Sequence, residues 1–389
     1  MMSLPGSAQP RVSVVILAWK LVEPLRACIA SVLASEFTGE LELVIVANGA
    51  SDEVRAVVDE FVDEAIVAEL PQNVGFGAGC NAGAALARGD YVVFLNDDAV
   101  ASPDWLANLV GAADDSGAGA VGSLLLNADG TVQEAGSQLR ADAGTEQLGD
   151  GWTVEEASSA GLLQRRNVDY ASGAALLVPR ELFLELGGFD PLFAPAYFED
   201  VDLCLRIRAH GRDVIVEPTA IVTHARGGST SSARRFRDFI AQRSGDAFSE
   251  RWRETLAGID GEVDGEQSES RPAEPTGPRE PARVALSDVE RLPEAQLEDA
   301  SRAIETTLEG QRAYAAHLES TLDDQEQREQ LEVSRLTSEL AAARAEAERA
   351  GARAAELVSR LQDLETRGPI GIVKWQAGVV QKRLKRHQS

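Results

Sequence analysis

Four apolar segments alternate with helix-like stretches through the first hundred residues, and this alternation most limits how the chain can fold. Residues 11–18 (RVSVVILA) form a continuous β-branched run, as a strand buried on both faces of a parallel sheet requires. A helix is expected from 24 to about 35, with Pro24 in its first turn. Residues 41–46 (LELVIV) read as a second buried strand ending at Asn48-Gly49, and Ser51-Asp52 as the cap of a helix through 62. A short strand at 65–69, a helix at 77–88 and a strand at 91–95 (YVVFL) complete the series. Strand and helix in turn predict an α/β layer on a mostly parallel sheet. Ligands of such sheets sit beyond the carboxyl ends of the strands. Two turn segments fall there, 48–52 and 96–98.

After a helix expected at 103–114 the pattern loosens. Strands are expected at 118–126 and 131–140, and the Gly-rich, polar stretch 141–166 reads as a long loop. Residues 172–178 return to a buried strand, 179–186 to a short helix closed by Gly187-Gly188, and 198–210 to a helix ended by Gly211. Strands at 214–216 and 220–223 follow, with His224 just past the second.

Composition changes near 259. The chain is expected to hold a folded domain at 11–258 and an acidic, Pro/Gly-rich linker at 259–291. Residues 292–366 hold one Pro, Pro293 at the start, and carry heptad lines, one running Leu308, Ala315, Leu322, Glu329, Leu336. A coiled coil is expected there, through which the protein would form a homo-oligomer; a single solvated helix is the alternative. The last stretch, 367–389, carries basic residues and no acidic one, interleaved with apolar residues and Trp375. It suits a peripheral contact with an anionic membrane surface, or equally a solvated helix end.

Charge excludes one class. With 63 acidic and 37 basic residues the net charge is -26, which opposes nucleic-acid binding. Three scattered cysteines, Cys28, Cys80 and Cys204, imply neither a disulfide framework nor a thiolate metal site. No apolar run reaches the roughly 18 residues that span a bilayer, and residues 1–10 lack the regions of a signal peptide. A cytoplasmic protein is expected.

Three clusters carry chemistry. Glu199, Asp200 and Asp202 crowd into what reads as a first helical turn, where the dipole favours ionised carboxylates and a general base can be held. An acidic helix start with no further role is the competing account. Residues 73–83 (NVGFGAGCNAG) open a helix with glycines, a place where backbone N–H groups can approach a phosphate, although the dinucleotide fingerprint it mimics belongs after the first strand. Asn96-Asp97-Asp98 ends a buried strand and offers oxygen ligands for a hard cation, or simply caps the next helix.

Taken in order, VSVVILA, ANGASD, NVGFGAGCNAG, FLNDDA, SGAALLVPRELFLELGGFDPLF, YFEDVDLCLRIRAHG and the His of IVTHARGGS resemble the inverting family-two glycosyltransferases of GT-A fold over residues 11–230. The rhamnosyltransferase-like and galactofuranosyltransferase-like bacterial branch is nearest. The resemblance implies a GT-A, Rossmann-like domain that uses a nucleotide-diphospho-sugar and a divalent cation, Mn or Mg. Its acceptor would be a cell-envelope glycan or a polyprenyl-linked molecule. It implies Asp98, His224 and Asn96 at the metal and Asp200 as catalytic base beside Glu199, the base needing no raised pKa. Asn48, Asp52, Asn73, Gly75, Gly77 and Asp97 would line the donor pocket, and Asp202 and Asp190 would meet the acceptor. The departures are on the donor side: Ala18-Trp19-Lys20 stands where members often carry Thr-Tyr-Asn, Ala47 where many carry Asp, and Cys80 where several carry Arg or His.

Two other classes compete. A donor-binding member without catalysis could act as a coiled-coil scaffold, which the donor-side departures favour and the intact Asp98, Asp200 and His224 oppose. A nucleotide-dependent oxidoreductase rests on the glycine loop alone and would bind its cofactor without metal.

Overall fold

In the computed structural model the described residues are 11–225 and 234–259, with helical residues between 338 and 359. The chain divides into two units, 1–283 and 284–389. In the second, 345–353 is helical; most of the stretch expected as a coiled coil, the linker and the basic segment 367–389 lie outside the described residues.

The first unit begins as expected: β1 (Val12–Ala18), α1 (Glu23–Leu33), β2 (Leu41–Asn48), α2 (Asp52–Asp59), β3 (Ala65–Leu70), α3 (Phe76–Leu86) and β4 (Tyr91–Asn96). It continues through β5 (Ala99–Ala101), α4 (Trp105–Ser116), β6 (Ala120–Leu126), β7 (Val132–Glu134), β8 (Ser137–Leu139), β9 (Thr145–Gln147), α5 (Val154–Ser159) and β10 (Arg166–Asn167). It closes with β11 (Ala175–Pro179), α6 (Arg180–Glu185), α7 (Glu199–Ala209), β12 (Val214–His224), α8 (Arg234–Arg251) and α9 (Arg253–Ile259).

The sheet order is β10-β12-β6-β11-β4-β1-β2-β3, with β5 on β12 and β7 on β6. β4, β1, β2 and β3 run parallel, and β6 and β12 are parallel to each other. β11 is antiparallel to both β4 and β6 and joins the two halves. This places its amino end, and residues 172–174 before it, at the carboxyl ends of its neighbours. The central strands bury both faces, as their unbroken apolar sequences demand. Side chains such as Val14, Ile16, Leu43, Ile45, Val93, Trp105 and Leu109 make one contiguous core.

Three expectations need correction. The stretch 141–166 is not a plain loop: it holds β9 and α5, the latter started by a capping box between Thr153 and Glu156. The expected strand at 131–140 breaks into β7 and β8 at Gly136, which has a φ of 77°. The two short strands after Gly211 are one, β12, whose pairing with β6 shifts register between Glu217 and Ile221 around Pro218.

Candidate active site

The glycines of 73–83 are explained by close packing within the protein. α3 lies on β1 and β2, and a Cβ at Gly79 would stand 2.4 Å from Leu17 and one at Gly83 2.4 Å from Val15. Gly75 adopts a φ of 89°, and a Cβ there would meet the Pro195 carbonyl oxygen at 2.7 Å. A Cβ at Gly77 would touch the Phe189 side chain at 3.0 Å. The backbone N–H groups are also engaged: Val74 donates to Asn48 Oδ1 (2.9 Å), Gly75 to Asn73 Oδ1 (2.7 Å) and Phe76 to the Pro195 carbonyl (2.8 Å). Asn48 Nδ2 reaches Asn73 Oδ1 and the Gly75 carbonyl, both at 3.2 Å. Asn48 and Asn73 thus shape the loop at the ends of β2 and β3, and the glycines form a packing seam. Asp52 stands exposed at the start of α2 and accepts from Arg55.

At the end of β4, Asp97 and Asp98 are both buried. Trp19 N–H donates to Asp97 Oδ2 at 3.3 Å, tying the end of β1 to this cluster. Burial, with Asp98 beside it, pushes the Asp97 carboxyl up to about 7. β5 pairs with β12 so that Ala99 lies opposite His224. The His224 Nε2 comes within 3.1 Å of Asp98 Oδ1, and Asn96 Nδ2 within 3.1 Å of the same nitrogen. Asn96 therefore turns its amide N–H, not an oxygen, toward the point where it was expected to ligate.

Among the described residues no three His, Cys, Asp or Glu side chains form a ready-made metal cage. Asp98 and His224 do bring one carboxylate oxygen and one imidazole nitrogen together. A cation held by one or two protein groups and completed by substrate phosphates has this kind of donor set, so the residues fit a metal–diphosphate site.

The acidic helix α7 starts at the same edge. Tyr197 and Phe198 lead into it with φ values of 76° and 69°, both left-handed and unusual for aromatic residues. Phe198 is held against Phe248 of α8 with ring centroids 5.1 Å apart. Ser244 Oγ donates to the Ala196 carbonyl at 3.1 Å and Arg243 to that of Ala194 at 3.0 Å. Beneath this turn, Phe189 of the Gly-Gly-Phe-Asp motif packs on Phe94 and Phe183, and Asn81 of α3 clamps both its backbone polar groups.

The three carboxylates of α7 have separate fates. Asp202 is fully buried; it binds Arg206 Nε at 2.7 Å, Arg251 Nη1 at 3.1 Å and Trp252 Nε1 at 3.0 Å. Burial raises its pKa, but the two arginines and the indole outweigh it and leave the carboxyl below its ordinary value. It has no surface to offer an acceptor, so the acceptor role expected of Asp202 is replaced by a structural one. Asp190 shares Arg251 at 2.8 Å and caps the turn at 191–193, yet stays partly exposed.

Asp200 is partly exposed. Its Oδ2 accepts the Gly173 N–H at 3.0 Å and its Oδ1 the Val201 N–H at 2.9 Å. Burial raises its pKa above the ordinary range, and these backbone bonds pull it back only in part. Glu199 is buried, its Oε2 has no hydrogen-bond partner, and burial with Asp200 beside it pushes its carboxyl well up.

Residues that sequence reasoning missed supply the supports. Gln133 and Glu134 of β7 reach both clusters: Gln133 Oε1 lies 2.7 Å from His224 Nδ1, while Glu134 Oε1 accepts the Ser172 N–H at 2.9 Å, next to the N–H that binds Asp200. The Asn96 N–H in turn donates to the Ala174 carbonyl. One short turn, 172–174, thus joins Asp200 to the acidic end of β4. Helices α8 and α9 were also missed, although Ile240, Ser244, Phe248, Trp252 and Leu256, all buried, recur at the four-residue spacing of a helix face.

At the Ala18, Ala47 and Cys80 positions the side chains are buried, at 0%, 2% and 1% exposure. Of the departures at the first strand's end, Trp19 and Lys20 remain at the surface, with Lys20 Nζ 3.7 Å above the Trp19 ring.

The O-antigen biosynthesis protein RfbC of Myxococcus xanthus is 32% identical over 57% of this chain and 18% of its own length. The N-acetylglucosaminyl-diphospho-decaprenol L-rhamnosyltransferase of Mycobacterium tuberculosis is 32% identical over 36% of this chain and 48% of its own. An uncharacterised protein of Sinorhizobium fredii is 30% identical over 64% of this chain, and the match spans 28% of that protein. Among solved structures, a mannosyltransferase of Pyrobaculum calidifontis in complex with GDP-Man and Mn2+ aligns over 89% of both chains, at 19% identity and a TM-score of 0.45. The model of the family described as glycosyltransferase like family 2 matches residues 10–242, and the chain belongs to that family.

Proposed function

We propose that this chain moves a sugar from a nucleotide-diphospho-sugar to a hydroxyl group, with inversion and with Asp200 as general base. The observation that carries the reading is the turn 172–174, which binds the partly exposed Asp200 carboxylate on one side and the end of β4, with Asp97 and Asp98, on the other. Asp200 takes the proton of the acceptor hydroxyl as that oxygen bonds to the anomeric carbon, and the bond from that carbon to the diphosphate breaks on the opposite face. Its raised pKa makes it a better proton acceptor than an ordinary Asp, at the cost of needing a higher pH to ionise. Asp98 and His224 would hold a divalent cation, Mn or Mg, which when bound neutralises the departing diphosphate. Asp97, Asp52 and the Asn48–Asn73 loop lie along the carboxyl edge where the nucleotide would rest.

The acceptor we favour is a cell-envelope glycan or a polyprenyl-linked one, since one relative bears the name of an enzyme acting on a decaprenol-linked sugar. Asp190, partly exposed and sharing Arg251 with Asp202, is the candidate to meet it. Among the described residues no helix is long and apolar enough to cross a membrane. A cytoplasmic enzyme touching the inner membrane face through 367–389, and made oligomeric through 292–366, completes the proposal.

The test is turnover. A panel of nucleotide-sugars with Mn2+ and a polyprenyl-linked acceptor should release nucleoside diphosphate with one donor, and Asp200→Asn should slow it by about 10²–10⁴-fold. Full turnover in Asp200→Asn would remove Asp200 from the role of base.

A further inference from the structure

We propose that Gln133 is a positioning residue that fixes the tautomer of His224 and so makes it a metal ligand. The inference rests on the metal site proposed above. An imidazole can bind a cation only through a nitrogen with a free lone pair, and the partner of its other nitrogen decides which one that is.

A chain of side-chain amides settles the orientation of Gln133. Asn127 Nδ2 donates to Thr131 Oγ1 at 3.0 Å and to the Val132 carbonyl at 3.3 Å, which turns Asn127 Oδ1 toward Gln133. Gln133 Nε2 donates to that Oδ1 and to the His224 carbonyl, both at 3.0 Å. Flipping the Gln133 amide would set its oxygen against two oxygens. Its Oε1 must therefore face His224 Nδ1, at 2.7 Å, and there it can only accept. The proton sits on Nδ1, and Nε2 carries the lone pair. Asn96 agrees independently, since its Nδ2 donates toward Nε2. Nε2 thus accepts from the Asn96 N–H and lies 3.1 Å from Asp98 Oδ1, two electron-pair donors that a cation would join. Gln133 is 4% exposed and cannot swing out to water. It holds His224 twice, by the ring and by the backbone.

The substrate-free, metal-free protein tests this directly. With ¹⁵N-labelled histidine, two-bond ¹H–¹⁵N correlations read the tautomer, and the His224 signals are those lost in His224→Asn. Wild type should show His224 in the Nδ1–H form. Gln133→Met, checked for folding by its thermal midpoint, should shift it toward Nε2–H, the form an unrestrained imidazole prefers. Mn2+ titration followed by electron paramagnetic resonance should then weaken about 10–100-fold in Gln133→Met. An Nε2–H tautomer in wild type, or an unchanged tautomer in Gln133→Met, would overturn the proposal. If wild type holds Nδ1–H but binds no Mn2+, the lock is real and the metal site is what fails, which removes the purpose assigned to Gln133.

Discussion

The two acidic clusters at the carboxyl edge of the sheet are built in opposite ways. At the end of β4, Asp98 faces His224 Nε2 at 3.1 Å, a pairing that on our proposal receives a positive charge from outside. At the start of α7 the positive charge is already inside: Arg206 and Arg251 saturate Asp202, and Asp200 is steadied by backbone N–H groups alone. On our proposal the same side-chain type is thus a ligand, a structural anchor or a base according to what surrounds it. A carboxylate flanked by arginines is spent on the fold. One held by neutral donors at a partly open surface is available for chemistry.

The anchor half of the contrast gives the largest expected effect. Asp202→Ala would leave Arg206 buried without its partner and cost about 3–5 kcal/mol, the usual loss on breaking a buried pair. Thermal or urea unfolding would measure it. Wild-type stability with a raised acceptor KM would instead return Asp202 to the acceptor and break the contrast.

The support of the helix comes next. Gly75→Ala forces a side chain into a left-handed backbone against the Pro195 carbonyl, and about 1–3 kcal/mol should be lost. A variant as stable as wild type would show that the seam between α3 and the 189–198 turn is not tight.

Glu199 should give the smallest effect, visible as a pH dependence. Its folded pKa is raised above the ordinary 4.5, so the stability it contributes is present below that value and is lost as pH rises toward the folded pKa. The thermal midpoint of Glu199→Gln, relative to wild type, should therefore climb between pH 4 and pH 8. A constant difference would mean that Glu199 is not held neutral.

What the sequence made legible follows from how each feature is encoded. The β1–β4 series was readable because strands buried on both faces must be apolar throughout. Asp98 and Asp200 stood out as carboxylates at element ends, and His224 only through the family resemblance. The helix α5 was hidden by its Gly-rich surroundings, though Thr153 and Glu156 held its capping box in plain sight. The glycines of 73–83 are ambiguous in sequence because a tight helix–sheet contact and a phosphate cradle ask for the same residue. Asp202 misled because its partners, Arg251 and Trp252, lie about fifty positions away. Gln133 had no signal at all, since a neutral amide becomes meaningful only when the fold sets it against His224.

The division of labour between the two clusters has one direct measurement. Calorimetry of a nucleotide-sugar panel, with and without Mn2+, would be run on wild type, Asp98→Ala and Asp200→Asn. The account predicts one donor that binds wild type only with metal, loses binding in Asp98→Ala and keeps it in Asp200→Asn. Equal donor binding in wild type and Asp98→Ala would contradict it.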